Sequence, residues 1–191
     1  MVLSTAYFPP ISWFRALAEG GADVRLEACE NYQKQSWRNR CNILSAGGVE
    51  PLQVPVVHRD GTFRHPIREV EVDYSRDFVT RHLRAIDSAY MSSAYYTYYR
   101  EEIYSLLEAR PALLWDLNMS IIEFFCRTLG LKVPGLTESF EGRCEDIHPK
   151  HPDPYAGLQE PYFQVFSTRH GFCPNLSVMD LLFNEGPSSL L

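Results

Sequence analysis

No stretch of this chain approaches the roughly 18 consecutive apolar residues of a membrane-spanning helix, so a helical membrane protein is not the expectation. A secretory leader is not legible either. The start MVLSTAYFPPISWF has no charged region, and two prolines interrupt its apolar run. The expected location is the cytoplasm, with no membrane partner. Positive charge is scarce: 18 Lys and Arg stand against 24 Asp and Glu, for a net charge of -6. That balance repels a phosphate backbone and makes nucleic acid an unfavoured partner. The five cysteines are odd in number, widely spaced and without a C-x-x-C pair, which argues against a disulfide framework. G-x-G-x-x-G, the P-loop, G-x-S-x-G and H-E-x-x-H are all missing, and with them the common nucleotide, hydrolase and zinc-protease signatures. There is no internal repeat and no low-complexity tract.

What is present suffices for a full core: 191 residues, 45% of them hydrophobic, read as one domain spanning 1–191. VLSTAYF reads as a strand stopped by Pro9 and Pro10, ISWFRALAEG as a helix ended by Gly20 and Gly21, and DVRLEAC as a second strand. That order predicts a parallel βαβ unit, with the turn from Tyr7 to Pro10 at the sheet's C-terminal edge, where open α/β sheets bind ligands. PLQVPVVH and REVEVDY read as the strands of a hairpin around Asp60 and Gly61. From Ser75 to Leu131 the apolar period turns helical and predicts two or three helices as an insertion or layer. Lys132 to Pro161 reads as a long loop, and YFQVFS as a final strand. Asn175 or Ser177 can cap a last helix that Gly186 and Pro187 stop, and so short a helix must pack on the domain to be stable. The fold class is therefore α/β: a mixed sheet seeded by the N-terminal βαβ unit, a helical insertion, and a C-terminal strand and helix closing the core.

Several clusters carry chemistry. YQKQSWRNRC sets Lys34, Arg38 and Arg40 among Tyr32 and Trp37, a set suited to a phosphate or carboxylate attached to a ring, or else to a solvated basic loop. The amides of Gln33, Gln35, Asn39 and Asn42 add hydrogen-bonding groups that need partners once buried. Cys41 beside Arg40 and Cys173 beyond His170 are thiols to weigh against inert packing. Cys144, His148 and His151 are zinc-type ligands, but Pro149 and Pro152 break their register and no fourth ligand is evident, so neither a metal nor a cofactor is expected. His148 and His170 remain candidates for proton transfer or for structural hydrogen bonds.

TAYFPPISWFRAL, ENYQKQSWRNRCNI and YFQVFSTRHGFCPNLSVMDLLFNEGP together resemble the WbqC-like proteins of bacteria, over almost the whole chain. That family is named from an O-antigen gene cluster, so the resemblance implies cytoplasmic work on surface-polysaccharide precursors. Carried over residue by residue, it marks Tyr7, Pro9, Gln33, Lys34, Arg38, Asn39, Arg40, His170, Asn175, Ser177, Asp180 and Asn184 as polar or shape-setting positions. Many relatives have Asn where Cys41 stands, which weakens a catalytic role for that thiol.

The function expected from these readings is a transferase acting on an activated sugar precursor, with acyl or aminoacyl transfer to an amino sugar as one form. Lys34, Arg38 and Arg40 would clamp a diphosphate or carboxylate, Tyr7 and Trp37 would contact a ring, and His170 would act as general base oriented by Asp180. The ligand is then a small anionic molecule such as a nucleotide sugar. A non-catalytic binding or assembly protein of a polysaccharide pathway is the alternative, and a Rossmann-like nucleotidyl-transfer enzyme a third.

Overall fold

The first thirty residues fold in the predicted order of strand, helix and strand, with strands of only two residues each. The computed structural model describes residues 1–57, 65–142, 147–151 and 153–188. In it β1 (Val2–Leu3) pairs in parallel with β2 (Arg25–Leu26), and α1 (Ile11–Gly20) is the crossover. A third parallel strand, β5 (Gly135–Leu136), lies beside β2 in the order β1-β2-β5. The N-terminus of α1 illustrates how the chain satisfies its orphan donors. Pro10 offers no side-chain cap, so the Ser12 amide donates to Asn175 Oδ1 at 2.9 Å and the Ile11 amide to the Leu176 carbonyl at 3.0 Å. The C-terminal segment thus caps an N-terminal helix.

The hairpin lies earlier than expected. β3 (Arg40–Ser45) and β4 (Gly48–Gln53) form an antiparallel pair joined by the two-residue turn Ala46–Gly47. The stretches PLQVPVVH and REVEVDY do run antiparallel, but among the described residues their pairing is limited to the isolated bridge Val56–Val72 and its two flanking bonds, the Val57 amide donating to Glu71 O and the Asp73 amide to Pro55 O, each at 2.9 Å. Pro55 has no amide hydrogen and cannot extend a ladder there. Asp60 and Gly61 lie outside the described residues.

Three helices fill the predicted helical stretch: α2 (Phe78–Tyr90), α3 (Tyr96–Glu108) and α4 (Leu114–Thr128). On α4 the expected row of Leu114, Leu117, Ile121 and Phe125 is buried, the face of a 3.6-residue period. After β5 and a 3-10 turn at Ala156–Leu158, YFQVFS is not a strand. Gln164 explains why: its side-chain amide takes both the Cys173 amide and the Cys173 carbonyl, each at 2.9 Å, the bonds a strand neighbour would have made. A single helical turn, α5 (Ser167–His170), follows.

The last helix, α6 (Val178–Glu185), forms as read. Ser177 Oγ accepts from the Met179 amide at 3.3 Å, and Gly186 (φ 85°) ends the helix with its amide donating to Leu182 O. Every α6 residue except Glu185 is buried, against α1, α2, α3 and β3. No helix among the described residues is long and apolar enough to cross a membrane.

Candidate functional site

A 3-10 turn, Trp37–Asn39, leads into β3, and this change of backbone separates side chains that the sequence groups together. Arg38 points inward. Its Nε donates to Glu30 Oε1 at 2.8 Å, its Nη2 donates to Glu30 Oε2 and, at 2.6 Å, to Ser4 Oγ, and both charged side chains are almost wholly buried. A bidentate buried pair of this kind leaves no guanidinium face for a ligand. Arg40, two residues on, faces the other way, opposite Gln53 on β4.

Arg40 and Gln53 line a cleft of about 560 Å³, together with Tyr32, Lys34, Asn39, Asp73 and Arg76. Three cations face one carboxylate there, in a chain of net charge -6. Among the described residues neither Arg40 nor Arg76 has an ion-pair partner. The Asn39 amide group donates to Val54 O at 2.9 Å, while Asn39 Oδ1 and Arg40 Nε are buried without a partner among the described residues. Burial pushes the Tyr32 phenol up to about 12, against the opposing pull of Arg40 and Arg38, so it remains a hydrogen-bond donor at neutral pH. The chemistry of such a cleft suits an oxyanion: cations at a concave surface focus their field, and the phenol and amides offer directed hydrogen bonds.

The other expected site residues are elsewhere. Tyr7 is wholly buried, its hydroxyl 2.8 Å from His82 Nδ1 and its amide donating to Trp37 O. Trp37 packs against the core with its Nε1 buried. Gln33 is exposed and does not line the cleft, and its carbonyl accepts from Ser36 Oγ. His170 and Asp180 do not form the expected pair. His170 Nε2 donates to Ala46 O at 3.0 Å, tying α5 to the hairpin tip. Asp180, buried in α6, accepts from Tyr162 Oη and, at 3.0 Å, from Gln164 Nε2. Burial raises its pKa, while the hydrogen bonds of Tyr162 and Gln164 pull the other way. Asn184 donates to Asp180 O at 2.8 Å and accepts from Ser93 Oγ at 3.0 Å, and Asn175 and Ser177 cap α1 and α6. These polar residues hold the C-terminal segment in place.

The thiols follow their burial. Cys41 is 1% exposed and its pKa is driven far up by desolvation, and that of Cys173 is raised too. The rings of His148 and His151 are 5.0 Å apart, and Cys144 lies outside the described residues. Among the described residues no three His, Cys, Asp or Glu side chains group as metal ligands do.

The structure thus unites Lys34, Asn39 and Arg40 and adds Gln53, Asp73 and Arg76, which the sequence reading did not single out. Arg76 follows the alternating run REVEVDY, where a lone basic residue carries no signal of its own.

Residues 5–146 match the model of the WbqC-like protein family. That span holds every cleft-lining residue named here, and the C-terminal motif of α6 lies beyond it. The uncharacterized protein Rv1507c of Mycobacterium tuberculosis is 27% identical over 187 residues, covering 81% of this chain and 80% of that protein. No solved structure matches the chain.

Proposed function

Because the chain belongs to the WbqC-like protein family, we propose that it is a cytoplasmic transferase acting on an activated sugar precursor of surface-polysaccharide biosynthesis, and that the basic cleft binds the precursor's phosphates. One observation carries the reading: Lys34, Arg40 and Arg76 converge on a single cleft of an acidic protein. Isolated surface cations are common, but three around one concavity make a field that a small polyanion neutralises and a long nucleic acid, repelled by the rest of the surface, does not reach. Acyl or aminoacyl transfer to an amino sugar is the finer form of the reading. Arg38 has no part in the clamp, because Glu30 already holds it.

The test is calorimetric titration of nucleotide sugars into the wild type and three variants. Arg40→Ala and Arg76→Ala each remove a charge-assisted contact and are expected to weaken binding about tenfold or more while leaving the melt intact. Arg38→Ala is expected to lower stability by about 3–5 kcal/mol, because it strands Glu30 as a buried unpaired charge. Unchanged affinity in both cleft variants would sink the reading.

A second reading, a non-catalytic binding or assembly protein of the same pathway, draws support from the separate engagement of His170 and Asp180. A transferase turns over a donor and acceptor pair in a product assay; an assembly protein binds the sugar nucleotide and leaves it unchanged.

A further inference from the structure

The basic cleft continues into a second lobe of about 390 Å³, and the two share Gln53, Pro55 and Arg76. The chemistry changes across that seam. Beyond Arg76 the lobe is lined by Glu50, Arg81 and His82. Arg81 is in part engaged, its Nε donating to Asp77 O at 3.3 Å. His82 is buried, and its Nδ1 accepts from the Tyr7 hydroxyl, since a phenol so deeply buried keeps its proton. Desolvation holds this imidazole down to about 4, so it is uncharged at neutral pH.

Glu50 is the group without an occupation. It lies on β4 opposite Ile43, on the strand face that carries buried Leu52, and is half-buried at the edge of the core. Among the described residues it has neither a cation nor a hydrogen-bond donor. A carboxylate in that position opposes a further phosphate, against the pull of Arg76 and Arg81 on the same lobe. Its two oxygens suit the vicinal hydroxyl groups of a sugar, each an O–H donor to a fixed acceptor.

We propose that the second lobe is the sugar subsite of the ligand whose phosphates lie at Arg76, and that Glu50 selects the sugar by accepting its hydroxyl hydrogens and rejecting acidic rings. This rests on the phosphate reading above. The order of groups along the groove follows: phosphates among Lys34, Arg40 and Arg76, and the neutral ring beyond Arg76 against Glu50.

Titration calorimetry with inorganic pyrophosphate, UDP-glucose and UDP-glucuronate tests it, the last two differing by a carboxylate on the ring. The wild type is expected to bind UDP-glucose about tenfold more tightly than UDP-glucuronate, by like-charge repulsion at Glu50. Glu50→Gln is expected to abolish that preference while binding pyrophosphate as the wild type does, and Glu50→Asp to retain it. Pyrophosphate affinity doubles as the check that each variant is folded. If pyrophosphate binds the wild type but the two sugars bind alike, or Glu50→Gln leaves the preference unchanged, the subsite is overturned and the phosphate reading stands. If pyrophosphate fails to bind the wild type, the phosphate reading falls and the subsite with it.

Discussion

His82 is 6% exposed, with Tyr7 on one side and the Gln53 backbone on the other, and its pKa is lowered to about 4 by burial, with the Arg81 charge adding to the effect. In the unfolded chain an imidazole takes up its proton near pH 6.5, and in the folded chain only near 4. The unfolded state therefore gains protons first, so stability that is present above about pH 6.5 is lost as the pH falls toward 4. The shift corresponds to about 3 kcal/mol. Urea unfolding of the wild type and His82→Gln at a series of pH values checks this: the stability advantage of the wild type at pH 7 should shrink by that amount by pH 4, and a constant gap would contradict it. Nothing in the sequence around His82 announces such a histidine, because its partner Tyr7 lies in a different element. Arg38 and Arg40 show the same limit. They are two apart, yet a 3-10 turn ends and a strand begins between them, so one pairs with Glu30 inside and the other lines the cleft.

At the scale of elements, α6 was legible and the hairpin was not. The helix carries its own start and stop: Ser177 supplies the cap, and Gly186 adopts φ 85°, a conformation in which a Cβ would also come within 2.7 Å of the Tyr95 ring. Ser177→Ala is expected to cost about 1 kcal/mol, and Gly186→Ala about 1–3 kcal/mol because strain adds to the clash. Thermal melts of the two variants rank them, and a Gly186→Ala melt equal to the wild type would contradict the strain argument. The longer hairpin lies earlier than the signals point, because Asp-Gly is a stronger turn signal than Ala-Gly, and because the alternation in REVEVDY suits a strand whose pairing Pro55, without an amide hydrogen, keeps to one bridge among the described residues. YFQVFS misled for a related reason: a strand is defined by its partner, and here the side chain of Gln164 occupies that place.

At the scale of the whole molecule, the chain is closed by its C-terminal segment. Asn175 caps α1, the Ser177 amide donates to Asn42 O on β3, and α6 is buried against helices from both halves of the chain. A chain ending at Phe172 is therefore expected to lose its cooperative thermal transition and near-ultraviolet circular dichroism; retention of both would show that the first 172 residues fold alone. By itself the sequence determined the α/β class, the N-terminal βαβ unit, the helical character of the central stretch and the capped last helix, because periods, caps and breakers act over a few neighbouring residues. It also pointed to the segment from Tyr32 to Arg40, where cations and amides are dense. Only the tertiary structure decided which cations share a space. The field in a cleft is the sum over groups a few ångströms apart, and Arg40, Gln53 and Arg76 reach one cleft only after β3 has paired with β4 and the antiparallel bridge Val56–Val72 has brought Arg76, just before α2, beside them.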